Sequence, residues 1–151
     1  MKKSFLWLQE FNMNELDRFV KAQEKDYSVA LEEIKNGKKR SHWIWYIFPQ
    51  LEELGRSSIA KYYGIKGFEE AKAYLENDLL RSRLIEITSE LYKIDGDISY
   101  ILNSPDDMKL KSCMTLFNYV DSSIDIFQKV LDKFYNGEKD NNTLEYLRKK
   151  K

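Results

Sequence analysis

The residues that could do chemistry are crowded into one run, Ser41-His42-Trp43-Ile44-Trp45-Tyr46-Ile47-Phe48-Pro49-Gln50-Leu51. It holds the chain's only histidine, two of its three tryptophans and one of its two prolines. It is also the longest stretch without an Asp, Glu, Lys or Arg. Placed directly after a helix cap at Ser41, His42 would feel the positive end of the helix dipole, which favours the neutral ring. A neutral imidazole acts as a general acid or base, or as a hydrogen-bonding group toward a ligand. The plain alternative is a histidine satisfied by backbone. Trp43 and Trp45 could stack on a base or another flat molecule, or could simply be core. Gln50, beside the helix-ending Pro49, offers its amide to a ligand edge or to stray carbonyls.

Three residues elsewhere belong with this group. Gln23 continues the apolar stripe of Leu16, Phe19 and Val20 with an amide. A buried amide needs partners, so it is either a structural bridge or a ligand contact. Lys109 and Ser112 lie three apart at the margin of a later stripe and could approach the same site. A solvated lysine is the ordinary alternative. Cys113 falls inside that stripe and reads as inert packing.

Several chemistries are excluded. One histidine and one cysteine rule out a two-histidine zinc site, a cysteine-rich metal site and an internal disulfide, so no metal or cofactor is expected. Gly37-Lys38-Lys39-Arg40-Ser41 lacks the earlier glycine and the Gly-Lys-Ser/Thr triplet of a phosphate loop. Gly55-Arg56-Ser57-Ser58 reads as an anion-holding helix start or as an ordinary cap. With 25 basic and 25 acidic residues the net charge is zero, which gives no bulk attraction to nucleic acid or membrane. Lys38-Lys39-Arg40 and the run from Arg148 to Lys151 read as solvated surface. Phe5-Leu6-Trp7-Leu8 is too short for a signal-peptide core, and no apolar run approaches the ~20 residues of a membrane span. A cytosolic protein is expected.

The elements that must position these residues read as helices. Only six glycines and two prolines in 151 residues leave little turn chemistry for many strands. One all-α domain over residues 1–151 is expected, with its core from about residue 14 to 148. It should be a compact bundle of seven to nine helices around a buried aromatic central helix. Asn14 is the expected cap of a first helix, with a break near Lys25-Asp26 and a second helix ending at Gly37. Ser41 should cap the central helix and Pro49 should stop it by Phe48. Ser57 or Ser58 opens a short helix through Tyr63, and Phe68 to Asn77 forms the next. Asp78 begins another, broken at Gly96 before a short helix from Ile98 to Leu102. Ser104-Pro105-Asp106-Asp107 reads as a cap, a first-position proline and first-turn acids, followed by the stripe Leu110, Cys113, Met114, Phe117 and Val120. Two further helices carry Ile124 to Phe134, and Leu144 with Leu147.

The chain resembles the bacterial family catalogued as domain of unknown function 1810. The resemblance rests on Lys39-Arg40-Ser41-His42-Trp43-Ile44-Trp45-Tyr46-Ile47-Phe48-Pro49-Gln50-Leu51, read as Lys-x-Ser-His-Trp-x-Trp-x-x-Phe-Pro-Gln-Leu. Arg18 to Gln23, Ala73-Tyr74-Leu75, Ser104 to Leu110 and Ser112 to Phe117 extend it. It implies a compact, mostly helical domain and brings no established activity. Family members often carry His-Pro where this chain has Asn77-Asp78, glycine at Arg81, and Ser-Ser-Met where it has Ser112-Cys113-Met114.

Three functional readings follow. The first is a small-molecule-binding domain, its ligand nucleotide-like, with a pocket lined by the Ser41–Leu51 run and by Gln23. The second is an enzyme using His42 as general acid or base with Lys109 or Ser112. The third is an interaction module with exposed aromatic surface and no pocket.

Overall fold

The computed structural model describes the backbone of residues 2–150 and the side chains of residues 15–149. Among the described residues nine α-helices succeed one another with no strand, only a single parallel bridge between Leu51 and Ile65.

Helix α1 (Lys2–Lys35) is continuous. The expected cap at Asn14 and the break near Lys25-Asp26 are both overturned. Neither glycine nor proline interrupts the segment, and Phe19, Gln23, Ala30 and Ile34 keep one buried stripe along it. The Asp26 carboxylate, free of any capping duty, accepts a hydrogen bond from the Tyr46 hydroxyl. Gly37, at φ +81°, ends the helix, a conformation that side-chain-bearing residues rarely adopt.

The aromatic run is less helical than its sequence suggests. Only α2 (Ile44–Ile47) forms a turn of helix, with Trp43 rather than Ser41 at the cap position and no side-chain cap bond. Ser41 is instead engaged by Glu33 of α1. Pro49 does stop the helix, as expected. The chain then runs extended through Leu51 into a 3₁₀ turn, Glu52–Leu54.

Helix α3 (Ser58–Tyr63) is capped by Ser57, whose Oγ accepts from Ala60 N at 3.1 Å. Gly64 then presses against that 3₁₀ turn. A Cβ there would stand 2.4 Å from Glu52 Cα, so no other residue fits. Helices α4 (Phe68–Glu76) and α5 (Asp78–Tyr92) meet at Asn77, which ends one and caps the other through its Oδ1, 3.0 Å from Leu80 N. Helix α6 (Ile98–Leu102) leads to α7 (Asp106–Val120). Here the expected cap slips by one residue: Pro105 takes the cap position, and Ser104 makes no cap bond. Helix α8 (Ile126–Tyr135) and helix α9 (Asn141–Lys150) complete the order, the last capped by Asp140 through Thr143.

The core is strung on aromatic rings. Phe19 meets Tyr74 edge-on at 5.2 Å, Tyr74 meets Phe117 at 5.2 Å, and Phe117 meets Phe127 at 6.0 Å. That series joins α1, α4, α7 and α8 in one hydrophobic cluster. Ring pairs of this kind add about 0.5–1.5 kcal/mol each beyond the area they bury.

The cap geometry makes a direct prediction. Asn77→Ala should lower stability by about 0.5–2 kcal/mol, the usual cost of losing a cap. Ser104→Ala, once the expected cap, should stay within ~0.5 kcal/mol of wild type. Urea midpoints at unchanged slope test both; equal losses would refute the assignment of caps.

Candidate functional site

Glu33, in the last turns of α1, anchors the site. Its Oε1 accepts from Arg40 N at 2.8 Å, Ser41 N at 3.0 Å and Trp43 Nε1 at 2.9 Å, and its Oε2 accepts from Ser41 Oγ at 2.5 Å. Burial by itself pushes this carboxyl upward. The hydrogen bonds from Ser41, Arg40 and Trp43 outweigh it and hold the group at about 2. The segment after Gly37 is thereby hooked back onto α1, and Trp43 is driven fully into the core against Phe48.

Lys39 lies on that hooked segment and is buried, 6% exposed, contrary to its reading as solvated surface. Its Nζ donates to Ser41 O at 2.5 Å, pairs with Asp106 Oδ2 at 3.0 Å and stands 5.1 Å from the Trp43 ring centre. Asp106, at the start of α7, gives its other oxygen to Lys109 Nζ at 3.0 Å. Lys109 in turn stands 3.8 Å over the ring of Trp45, the half-buried tryptophan of the run. Indole, ammonium, carboxylate, ammonium and indole therefore alternate. Two ammoniums share one carboxylate, which leaves the group one positive charge in excess.

The remaining candidates are placed as follows. His42 is exposed, and among the described residues its imidazole has no hydrogen-bond or ion-pair partner. Its carbonyl lies 3.3 Å from the Tyr46 hydroxyl. That phenol is pushed up by burial and by its bond to Asp26. Gln50 is half-buried; its carbonyl accepts from Ile65 N at 2.8 Å. Gln23 is buried, and its Nε2 donates to Tyr46 O at 2.8 Å and to the Tyr74 hydroxyl at 3.0 Å, bridging α1 to α2 and α4. Ser112 is buried, with its Oγ turned to Met108 O in its own helix at 3.2 Å. Burial pushes the Cys113 thiol well up, so it holds no thiolate.

The structure thus brings Trp43, Trp45 and Lys109 together, sets His42 at the surface, and keeps Gln23 and Ser112 inside. Glu33, Lys39 and Asp106 do the assembling, and sequence reasoning gave none of them that role. Two signals were present: Lys39 opens the signature, and Asp106 stands three residues before Lys109 on the same helix. Among the described residues no group of His, Cys, Asp and Glu could hold a metal ion. An open depression of about 410 Å³ lies elsewhere, lined by Glu53, Leu54, Asn142, Glu145, Tyr146 and Lys149. Gly55-Arg56-Ser57-Ser58 resolves as a cap, since the Ser57 hydroxyl already fills the start of the short α3.

The fold and this site define a small all-α protein with a largely buried aromatic and lysine cluster that reaches the surface at Trp45 and Lys109; no described helix is long and apolar enough to cross a membrane. The chain belongs to the family described as protein of unknown function, DUF1810, whose model matches residues 13–147. A solved relative is the conserved hypothetical protein Rv1873 from Mycobacterium tuberculosis, 44% identical to this chain. That likeness covers 89% of this chain and 96% of the other, with a TM-score of 0.87. No curated protein matches.

Two predictions follow from the geometry. Trp43→Ala should cost about 3–5 kcal/mol, the range for a fully packed aromatic, and Trp45→Ala distinctly less. Equal losses in denaturant unfolding would contradict their different burial. Glu33 is depressed on folding, so the stability it contributes is present above its ordinary value of 4.5 and lost as pH falls through about 2. The gap between wild type and Glu33→Gln, on the order of 1 kcal/mol after solvent screening, should close between pH 5 and 2. A gap constant across those pH values would refute it.

Proposed function

We propose that this chain is a cytosolic binding domain for a small, flat, anionic molecule of nucleotide type, seated on Trp45 with Lys109 and His42 at its edge. The observation that carries the reading is Lys109 Nζ at 3.8 Å over the Trp45 ring, fixed there by Asp106. The ring face opposite Lys109 is the proposed stacking platform, and an ammonium already ordered against the ring loses little freedom when an anion arrives. The cluster's excess positive charge suits such a ligand. His42, three residues before Trp45 and without a protein partner, supplies a further donor or acceptor, and the Gln50 amide lies at the end of the same run.

Binding rather than catalysis is the reading supported by His42. A general base is held by a second group within hydrogen-bond reach, and neither Lys109, paired with Asp106, nor Ser112, bonded to Met108, takes that position.

Thermal shift with adenosine and guanosine phosphates is the test. A ligand at 100 times its Kd stabilises the folded state by about 2.7 kcal/mol, a rise of several degrees in Tm. His42→Ala, Gln50→Ala and Trp45→Ala should each weaken the hit, Trp45→Ala by about tenfold or more. If no nucleotide stabilises the wild type, or the hits stabilise all variants equally, the proposal fails.

A further inference from the structure

The lysine and aromatic alternation does not stop at Trp43. Lys38, beside Lys39, has its Nζ 4.2 Å from the ring centre of Tyr100 on α6, while donating to Tyr100 O at 2.5 Å and Asn103 Oδ1 at 2.7 Å. Lys39 N donates to Ile101 O at 2.7 Å, and Asn103 Nδ2 reaches Lys39 O at 3.4 Å. Contact by contact, one row therefore runs from Tyr100 through Lys38, Asn103, Lys39, Asp106 and Lys109 to Trp45. Tyr100 is 66% exposed, the most exposed large hydrophobic side chain described. The Lys38 ammonium stands over one of its faces.

We propose that this row is a binding track for short single-stranded oligonucleotides, with one base stacked at Trp45, another at Tyr100, and the intervening phosphates lying along the basic segment 38–40. The inference rests on the preceding reading of Trp45 and extends it from one nucleotide to several. Stacking platforms separated by cations are the arrangement that single strands require, because every base has a π face and every linkage carries a charge. Lys38, Lys39, Arg40 and Lys109 stand against Glu33 and Asp106, so the row keeps two positive charges in excess although the whole chain is neutral. The carboxylates are occupied: Glu33 by four donors and Asp106 by two lysines. Arg40 is exposed and has no side-chain partner among the described residues. Lys39 is buried and acts through its field, while Lys38 and Arg40 make the contacts. A duplex hides its base faces, and nothing in a short row of two separated rings can open one.

The test uses the full-length protein with a fluorescein-labelled ten-nucleotide single strand, its duplex, and adenosine monophosphate measured by calorimetry. The single strand should bind at least about tenfold more tightly than either the mononucleotide or the duplex. Tyr100→Ala should cost the strand about tenfold, one lost base stack, without changing affinity for the mononucleotide. Arg40→Ala should lower the slope of log K against log salt by about 0.7, one phosphate contact. Both side chains are exposed, and unchanged circular dichroism will confirm that the variants fold. If the mononucleotide binds but the strand binds no better, or if Tyr100→Ala leaves strand affinity intact, the track is refuted and the Trp45 site stands. If neither binds, both readings fall. Tighter duplex than strand would also overturn the proposal.

Discussion

Four hydrogen bonds converging on the Glu33 carboxylate are the constraint on which the site depends. A carboxylate on an ordinary helix surface would prefer water. Here the donors of Arg40, Ser41 and Trp43 replace that water, and each would be stranded without it. The indole Nε1 is the most demanding, since Trp43 is fully buried and a buried donor without a partner costs about 1–3 kcal/mol. With Trp43 seated, Lys39 is carried inward, and its ammonium must find an anion. Asp106 answers, which fixes the start of α7 relative to α1. The Trp45 and Lys109 contact is then a consequence of packing settled several residues away.

The same device recurs along α1. Arg18 donates to Tyr62 O at 2.8 Å and Gly64 O at 2.9 Å while pairing with Glu70 at 2.9 Å, and both side chains of that pair are buried. Gln23 donates to Tyr46 O in the middle. Three polar side chains on one helix thus each hold backbone outside it, at the α3–α4 turn, the aromatic run and the segment after Gly37. This accounts for how so much irregular chain can lie against the core: several of its carbonyls and amides are matched by side chains, beside the backbone pairing of the Leu51–Ile65 bridge. A buried ion pair adds little net stability over apolar packing, but breaking one side of it is costly, so such pairs act mainly on arrangement.

The helices were legible in sequence wherever periodicity and punctuation agreed. Leu80, Leu84, Ile87 and Leu91 face inward as their spacing required, Ile98 to Leu102 forms its short helix, and Ser57 caps α3. Two of the failures share a physical cause. Ser41, Asp26 and Ser104 are residue types that favour caps, but Ser41 and Asp26 found distant partners, and Pro105 moved the last cap by one position. Local preference is a weak force beside a carboxylate from another helix. Of the site, the aromatic run was visible because its composition is unusual. Lys39 and Asp106 were not, since a lysine in a basic run and an aspartate in a first turn both look sufficiently explained where they stand. Only the fold shows that they meet.

The unequal settings of Trp43 and Trp45 have an optical consequence. One indole is sealed in the core with its N–H held by a carboxylate, and the other is partly wet with an ammonium over its ring. Their excited states therefore sense different fields, and the two indoles emit as separate chromophores alongside Trp7. In a background where Trp7 is replaced by phenylalanine, the shorter-wavelength component reports the integrity of the Glu33 knot. The longer-wavelength component reports what happens at the surface. Two positions apart in the chain, they give the molecule independent gauges of folding and of occupancy.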